Sequence, residues 1–72
     1  MKLPLLSGRQ VLGALKRLDF IEVHRKGSHV KMKHGDGRII VFPFHEEVDR
    51  HTLKGALRDA DIEVADFLEE VR

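Results

Sequence analysis

The residues best suited to chemistry lie in one short stretch, Arg25-Lys26-Gly27-Ser28-His29, with Lys31 and Lys33 just beyond it. An imidazole is the side chain most able to move protons near neutral pH. Here four cations surround it. Gly27 lets a backbone or phosphate approach closely, Ser28 offers a hydroxyl, and Arg25, Lys26, Lys31 and Lys33 supply positive charge. This combination suits acid–base work on a phosphodiester. In RNA, a base that takes the 2′-hydroxyl proton lets that oxygen attack the adjacent phosphorus, while Lys or Arg neutralises the developing charge. Such chemistry requires neither a metal nor a cofactor. A histidine in a basic patch can equally serve as a plain phosphate contact, so residue types alone leave both readings open.

The other four histidines carry less. His24, His29 and His34 are spaced by five but fall on two strands and a turn, without the helical i, i+4 geometry of a zinc pair. His24 and His34 read as exposed strand and turn residues, and His51 as a polar residue near a helix start. His45 follows Pro43-Phe44 at the end of a strand. It reads either as a side chain bonded to loop backbone or as a second acid–base group near His29.

These residues need a scaffold, and the hydrophobic pattern supplies one. Ser7 is a good helix N-cap, and Val11, Leu12, Ala14, Leu15 and Leu18 then mark one face of an amphipathic helix over 8–18. Phe20–Arg25 is rich in β-formers, Lys26-Gly27-Ser28 reads as a tight connection, and His29–Lys33 alternates. Val30 and Met32 point to one face, and His29, Lys31 and Lys33 to the other. His34-Gly35-Asp36-Gly37 is a turn, and Arg38–Phe42 forms a third strand that Pro43 ends or marks as a sheet edge. Leu53, Ala56, Leu57 and Ala60, then Val64, Phe67, Leu68 and Val71, give two short helices. The expected fold is α+β: a three-stranded antiparallel meander in the order α-β-β-β-α-α, with helices packed on one face and the basic residues on the open one.

Composition sets the outer bounds. At 72 residues the chain has room for one domain, 1–72, and 42% hydrophobic with 35% charged residues suits a folded globular domain rather than a disordered segment. It has no cysteine, which fits a reducing, cytoplasmic setting. Neither the apolar run within Met1–Gly8 nor that of Ile39–Phe42 is long enough for a signal peptide or a membrane span. The formal net charge of +1 conceals an asymmetry. Residues 1–45 hold nine Lys/Arg against three acids, a net of +6, and residues 46–72 hold four against nine, a net of −5. A basic face that attracts a polyanion follows from such a division, as does a surface whose halves pair with each other.

In order and spacing the sequence resembles the HicA toxin family, small mRNA interferases of prokaryotic toxin–antitoxin pairs. The shared pieces are Ser7-Gly8 at the first helix, Gly27-Ser28-His29, Asp36-Gly37-Arg38, Pro43 with His45, Thr52-Leu53, Leu57-Arg58 and Phe67-Leu68-Glu69. The resemblance implies a double-stranded-RNA-binding-like fold and a catalytic role for His29. It also implies single-stranded mRNA as substrate and a HicB-like antitoxin as protein partner. Where relatives often have glycine between the last two helices this chain has Asp61, which tolerates a left-handed backbone, and where they often have a capping serine it has Glu63, a weaker cap that Asp61 would replace. A non-catalytic RNA-binding module of the same fold is the alternative. Such modules grip phosphates with a lysine cluster opening their last helix, whereas this chain has Glu46, Glu47 and then Asp49–Lys54 there.

Overall fold

In a computed structural model that describes residues 2–72, the elements follow in the order α1 (Gly8–Arg17), β1 (Phe20–Lys26), β2 (His29–His34), β3 (Ile39–Pro43), α2 (Arg50–Asp59) and α3 (Val64–Glu69). Only Met1, part of the opening segment read above, lies outside the described residues. The strands form one antiparallel sheet in the order β1-β2-β3. The expected α-β-β-β-α-α arrangement is therefore the one found.

Ser7 caps α1 through a reciprocal pair: its hydroxyl accepts from the Gln10 amide at 3.1 Å, and the Gln10 side chain accepts from the Ser7 amide at 3.0 Å. The helix stops at Arg17, one residue short of the expected end, because Leu18 is the C-cap and Asp19 turns left-handed at φ 70° to start β1. Lys26 stays in the ladder opposite His29, which shrinks the first turn to Gly27-Ser28, with Gly27 at φ 59°. At the far end β2 runs on to His34, while β3 starts at Ile39 and includes Pro43. Proline is tolerated there because β3 is an edge strand.

One face of the sheet carries the core. Val30, Met32, Ile40 and Phe42 pack under Val11, Ala14 and Leu15 of α1, Leu53 and Leu57 of α2, and Phe67 of α3. Leu3 and Leu6 join them through an isolated bridge between Leu6 and Val48. The helices thus cover one sheet face only, as the alternation in β2 predicts.

Arg38 fastens the two ends of this arrangement. Its guanidinium donates to the carbonyls of Ala60 (3.2 Å) and Asp61 (3.1 Å) and to the Asp36 carboxylate (2.8 Å), and it lies 5.4 Å from the Phe20 ring centroid. The α2–α3 junction is a left-handed stop: Asp61 has φ 57°, the Asp61 amide donates to Arg58, and the Ile62 amide donates to Leu57. Asp61 thus stands in for the glycine. It does not replace the cap of α3: Asp61 stands two residues before the N-cap Glu63, its carboxylate makes no hydrogen bond among the described residues, and Glu63 makes no side-chain bond either.

Candidate functional site

The antiparallel register places the site residues in rows. On the open face Lys26 lies beside His29 and Pro43, His24 beside Lys31 and Val41, and Ile21 beside Lys33 and Ile39. His29, Lys31 and Lys33 are exposed, as are Lys26 and His24. Exposed Ile21, Ile39 and Val41 share this side of the sheet with them. Among the described residues Lys26, Lys31 and Lys33 have no ion-pair partner, and the His29 imidazole has no hydrogen bond. The face is therefore an uncompensated basic stripe around an unengaged imidazole.

Arg25 departs from the expected cluster. A register shift between Glu22 and His24 leaves Val23 as an extra residue in β1, so Arg25 pairs with Val30 and belongs to the opposite row from His29. There its guanidinium donates to Glu22 at 3.1 and 3.2 Å and sits 4.7 Å from the centroid of Phe44. Hydrogen bonding to Arg25 holds the Glu22 carboxyl below its ordinary range, and the same contact raises Arg25. Its charge is thus partly spent on a neighbour.

Gly27 and Ser28 form the corner next to His29. The left-handed backbone requires the glycine, and the space where a Cβ would stand is open to within 4 Å, leaving room for a phosphate. The Ser28 carbonyl accepts from the Phe44 amide at 2.6 Å, and the His45 carbonyl accepts from the Gly8 amide at 2.7 Å. Gly8 is needed for close packing: a Cβ there would meet Phe44 Cγ at 2.9 Å and Phe44 Cα at 3.0 Å. The start of α1, the Pro43–His45 segment and the Ser28 turn are therefore one packed corner. Neither the packing of Phe44 nor the role of Gly8 beneath it is legible in the sequence; the Ser7-Gly8 pair is the available signal.

His45 is exposed, and its imidazole makes no hydrogen bond among the described residues, so the reading as a backbone-bonded loop residue does not hold. It lines a depression with Ser7, Arg9, Phe44 and Glu46. It follows Pro43, the partner of His29, by two residues, which limits the His29–His45 Cα separation to about 13 Å.

The three histidines spaced by five do not converge. His34 packs edge-on against Phe20 with ring centroids 5.1 Å apart, and its Nδ1 accepts from the Asp36 amide at 3.1 Å. Among the described residues no group of three or more His, Asp or Glu is placed to share a metal ion. His51 sits in the first turn of α2, beside Arg50 and Lys54 in a cleft closed by Lys2 and Leu3. Likewise among the described residues, no helix is long and apolar enough to cross a membrane.

No protein of curated function matches the sequence. The family model described as the HicA toxin of bacterial toxin-antitoxin matches residues 8–62. That span begins at the glycine beneath Phe44, includes all three strands and ends at the Ile62 stop of α2, so every residue of the basic stripe lies inside it. The chain belongs to the HicA toxin family, the toxin half of a pair completed by a cognate antitoxin.

Proposed function

We propose that this toxin is a metal-independent endoribonuclease that cuts single-stranded mRNA in the cytoplasm, with His29 as its acid–base residue. The observation that carries the reading is the exposed, unbonded imidazole of His29 in a row of unpaired cations on an open sheet face. His29 removes the proton from a ribose 2′-hydroxyl, and the 2′ oxygen forms a bond to the adjacent phosphorus. The bond from phosphorus to the 5′ oxygen then breaks, leaving a 2′,3′-cyclic phosphate and a 5′-hydroxyl end. Lys26, Lys31 and Lys33 hold the phosphate and offset its growing charge. Gly27 and Ser28 shape the corner that receives it, whereas Arg25, on the opposite row and bonded to Glu22, has no part in this step. His45, on the segment next to the His29–Pro43 pair, is the candidate donor of the proton that the departing 5′ oxygen takes up.

The apolar residues between the lysines fit a second use of the same face. A HicB-like antitoxin that buried Ile21, Ile39 and Val41 would cover His29 and silence it. The test compares single-stranded with duplex RNA in parallel cleavage and gel-shift assays, and expresses the toxin with and without its antitoxin gene. Cleavage of single strands and toxicity relieved by the antitoxin are the expected results. Tight duplex binding without cleavage would make the protein a non-catalytic RNA-binding module instead.

A further inference from the structure

A second basic site forms away from the open face, from residues far apart in sequence. Lys2, Arg50, His51 and Lys54 line a cleft of about 330 Å³ against Leu3. Sequence alone puts the start of α2 in the acidic half of the chain, after Glu46, Glu47 and Asp49. The fold reverses that impression. The bridge between Leu6 and Val48 lays the N-terminal segment alongside the approach to α2 and carries Lys2 to the cleft.

The nearby acid is already committed. Asp49 is the N-cap of α2, and its carboxylate accepts from the Thr52 amide and hydroxyl at 2.9 Å each. Among the described residues Lys2, Arg50 and Lys54 have no ion-pair partner. The helix amides are also in part taken by that cap, so positive side chains, not the helix end, make the site. Three cations line this concave surface with no acid among its lining residues and no ion pair to Asp49, which suits a phosphate better than an apolar ligand.

The cleft is connected to the proposed active corner. From Lys2 the chain runs to Ser7 and Gly8, whose amide bonds the His45 carbonyl, and the next residue back, Phe44, bonds Ser28. Five residues span at most about 18 Å. Arg9 lines a depression with Ser7, Phe44 and His45 and adds a cation beside that corner.

We propose that the Lys2–Arg50–Lys54 cleft is a second phosphate site that holds the RNA backbone away from the cut bond. It positions substrate and takes no part in the chemistry. The inference rests on the ribonuclease reading and extends it to a surface which that reading does not use.

The test uses the full chain and a single-stranded RNA with 2′-O-methyl riboses, which lacks the attacking hydroxyl and stays intact. Binding is measured by fluorescence anisotropy from 50 to 300 mM salt for the parent and for Arg50→Gln/Lys54→Gln. Both side chains are exposed, and Leu53 and Leu57 still anchor α2, so the variant should melt with the parent. The log–log salt slope should fall by about 0.7 if the pair holds one phosphate and by about 1.4 if it holds two. An unchanged slope and affinity would overturn the second site and leave the ribonuclease reading standing. No RNA binding by the parent would defeat both. Inorganic pyrophosphate shifting the Arg50 and Lys54 resonances while the RNA slope stays unchanged would assign the cleft to a free phosphate, against the proposal. Loss of antitoxin affinity with an unchanged RNA slope would assign it to an acidic protein surface, also against it.

Discussion

Gly8→Ala places a methyl group 2.9 Å from Phe44 Cγ and 3.0 Å from Phe44 Cα. Because one of those atoms is backbone, rotating the ring does not relieve the contact, and the Phe44–His45 segment has to move. Overpacking of this kind costs about 1–3 kcal/mol. Alanine recovers part of that through helix propensity, at most about 1 kcal/mol and less at the first helical position. A net loss of about 1–2 kcal/mol lowers Tm by about 4–16 °C in a domain of this size. Gly55→Ala is the matched control. It lies within α2, and a Cβ there meets only the Arg58 guanidinium, at 3.9 Å. Propensity then acts alone, and the variant should gain about 0.5–1 kcal/mol. Thermal unfolding followed by circular dichroism reads both variants in one experiment. If Gly8→Ala melted at or above the parent while Gly55→Ala gained as expected, Phe44 would not be packed as described. The corner it braces, from Ser28 to His45, would lose its physical basis.

Two further predictions concern the scaffold. Arg38→Ala removes two hydrogen bonds to the end of α2, one to Asp36 and the contact with Phe20, from a side chain 33% exposed. The expected loss is about 1–2 kcal/mol, read as a lower urea midpoint; Arg38→Lys should recover little, since one ammonium cannot reach both carbonyls and the carboxylate. Asp49→Ala should lower Tm by several degrees at pH 7, in a pH-dependent way. The Thr52 amide and hydroxyl hold the Asp49 carboxyl below its ordinary value of 3.8, so its contribution is complete above that value and disappears as pH falls through the lower native one. Melting curves of parent and variant should therefore converge in acid; a gap that stayed constant down to pH 2 would show that the cap is not the cause.

The strand register explains what could and could not be read from the residues in order. The alternation of His29-Val30-Lys31-Met32-Lys33 identifies both faces of β2, because a two-residue period needs no knowledge of the partner strand. Arg25 resisted the same logic. Its row depends on the extra residue at Val23, and a bulge exists only relative to the strand beside it. The Ser7 cap and the left-handed turn at Asp61 were legible because each acts on backbone within a few residues of itself, whereas the expected Asp61 cap of α3 does not form. The Gly8–Phe44 contact, the reach of Arg38 to Ala60 and the gathering of Lys2 with Arg50 join residues 22 to 48 positions apart. No local pattern encodes such pairs. The charge division was visible, yet its meaning changed: two cations of the acidic half sit with Lys2 in a cleft of their own.

The central claim is that His29 performs the proton transfer. Its most direct test is the single-turnover cleavage rate of a single-stranded RNA by purified His29→Ala beside the parent, with EDTA present throughout. The side chain is exposed and unbonded, so the variant should keep the parental Tm. Its cleavage rate should fall by about 10²–10⁴-fold, while the parent is unaffected by the chelator. Cleavage by His29→Ala at the parental rate would contradict the account.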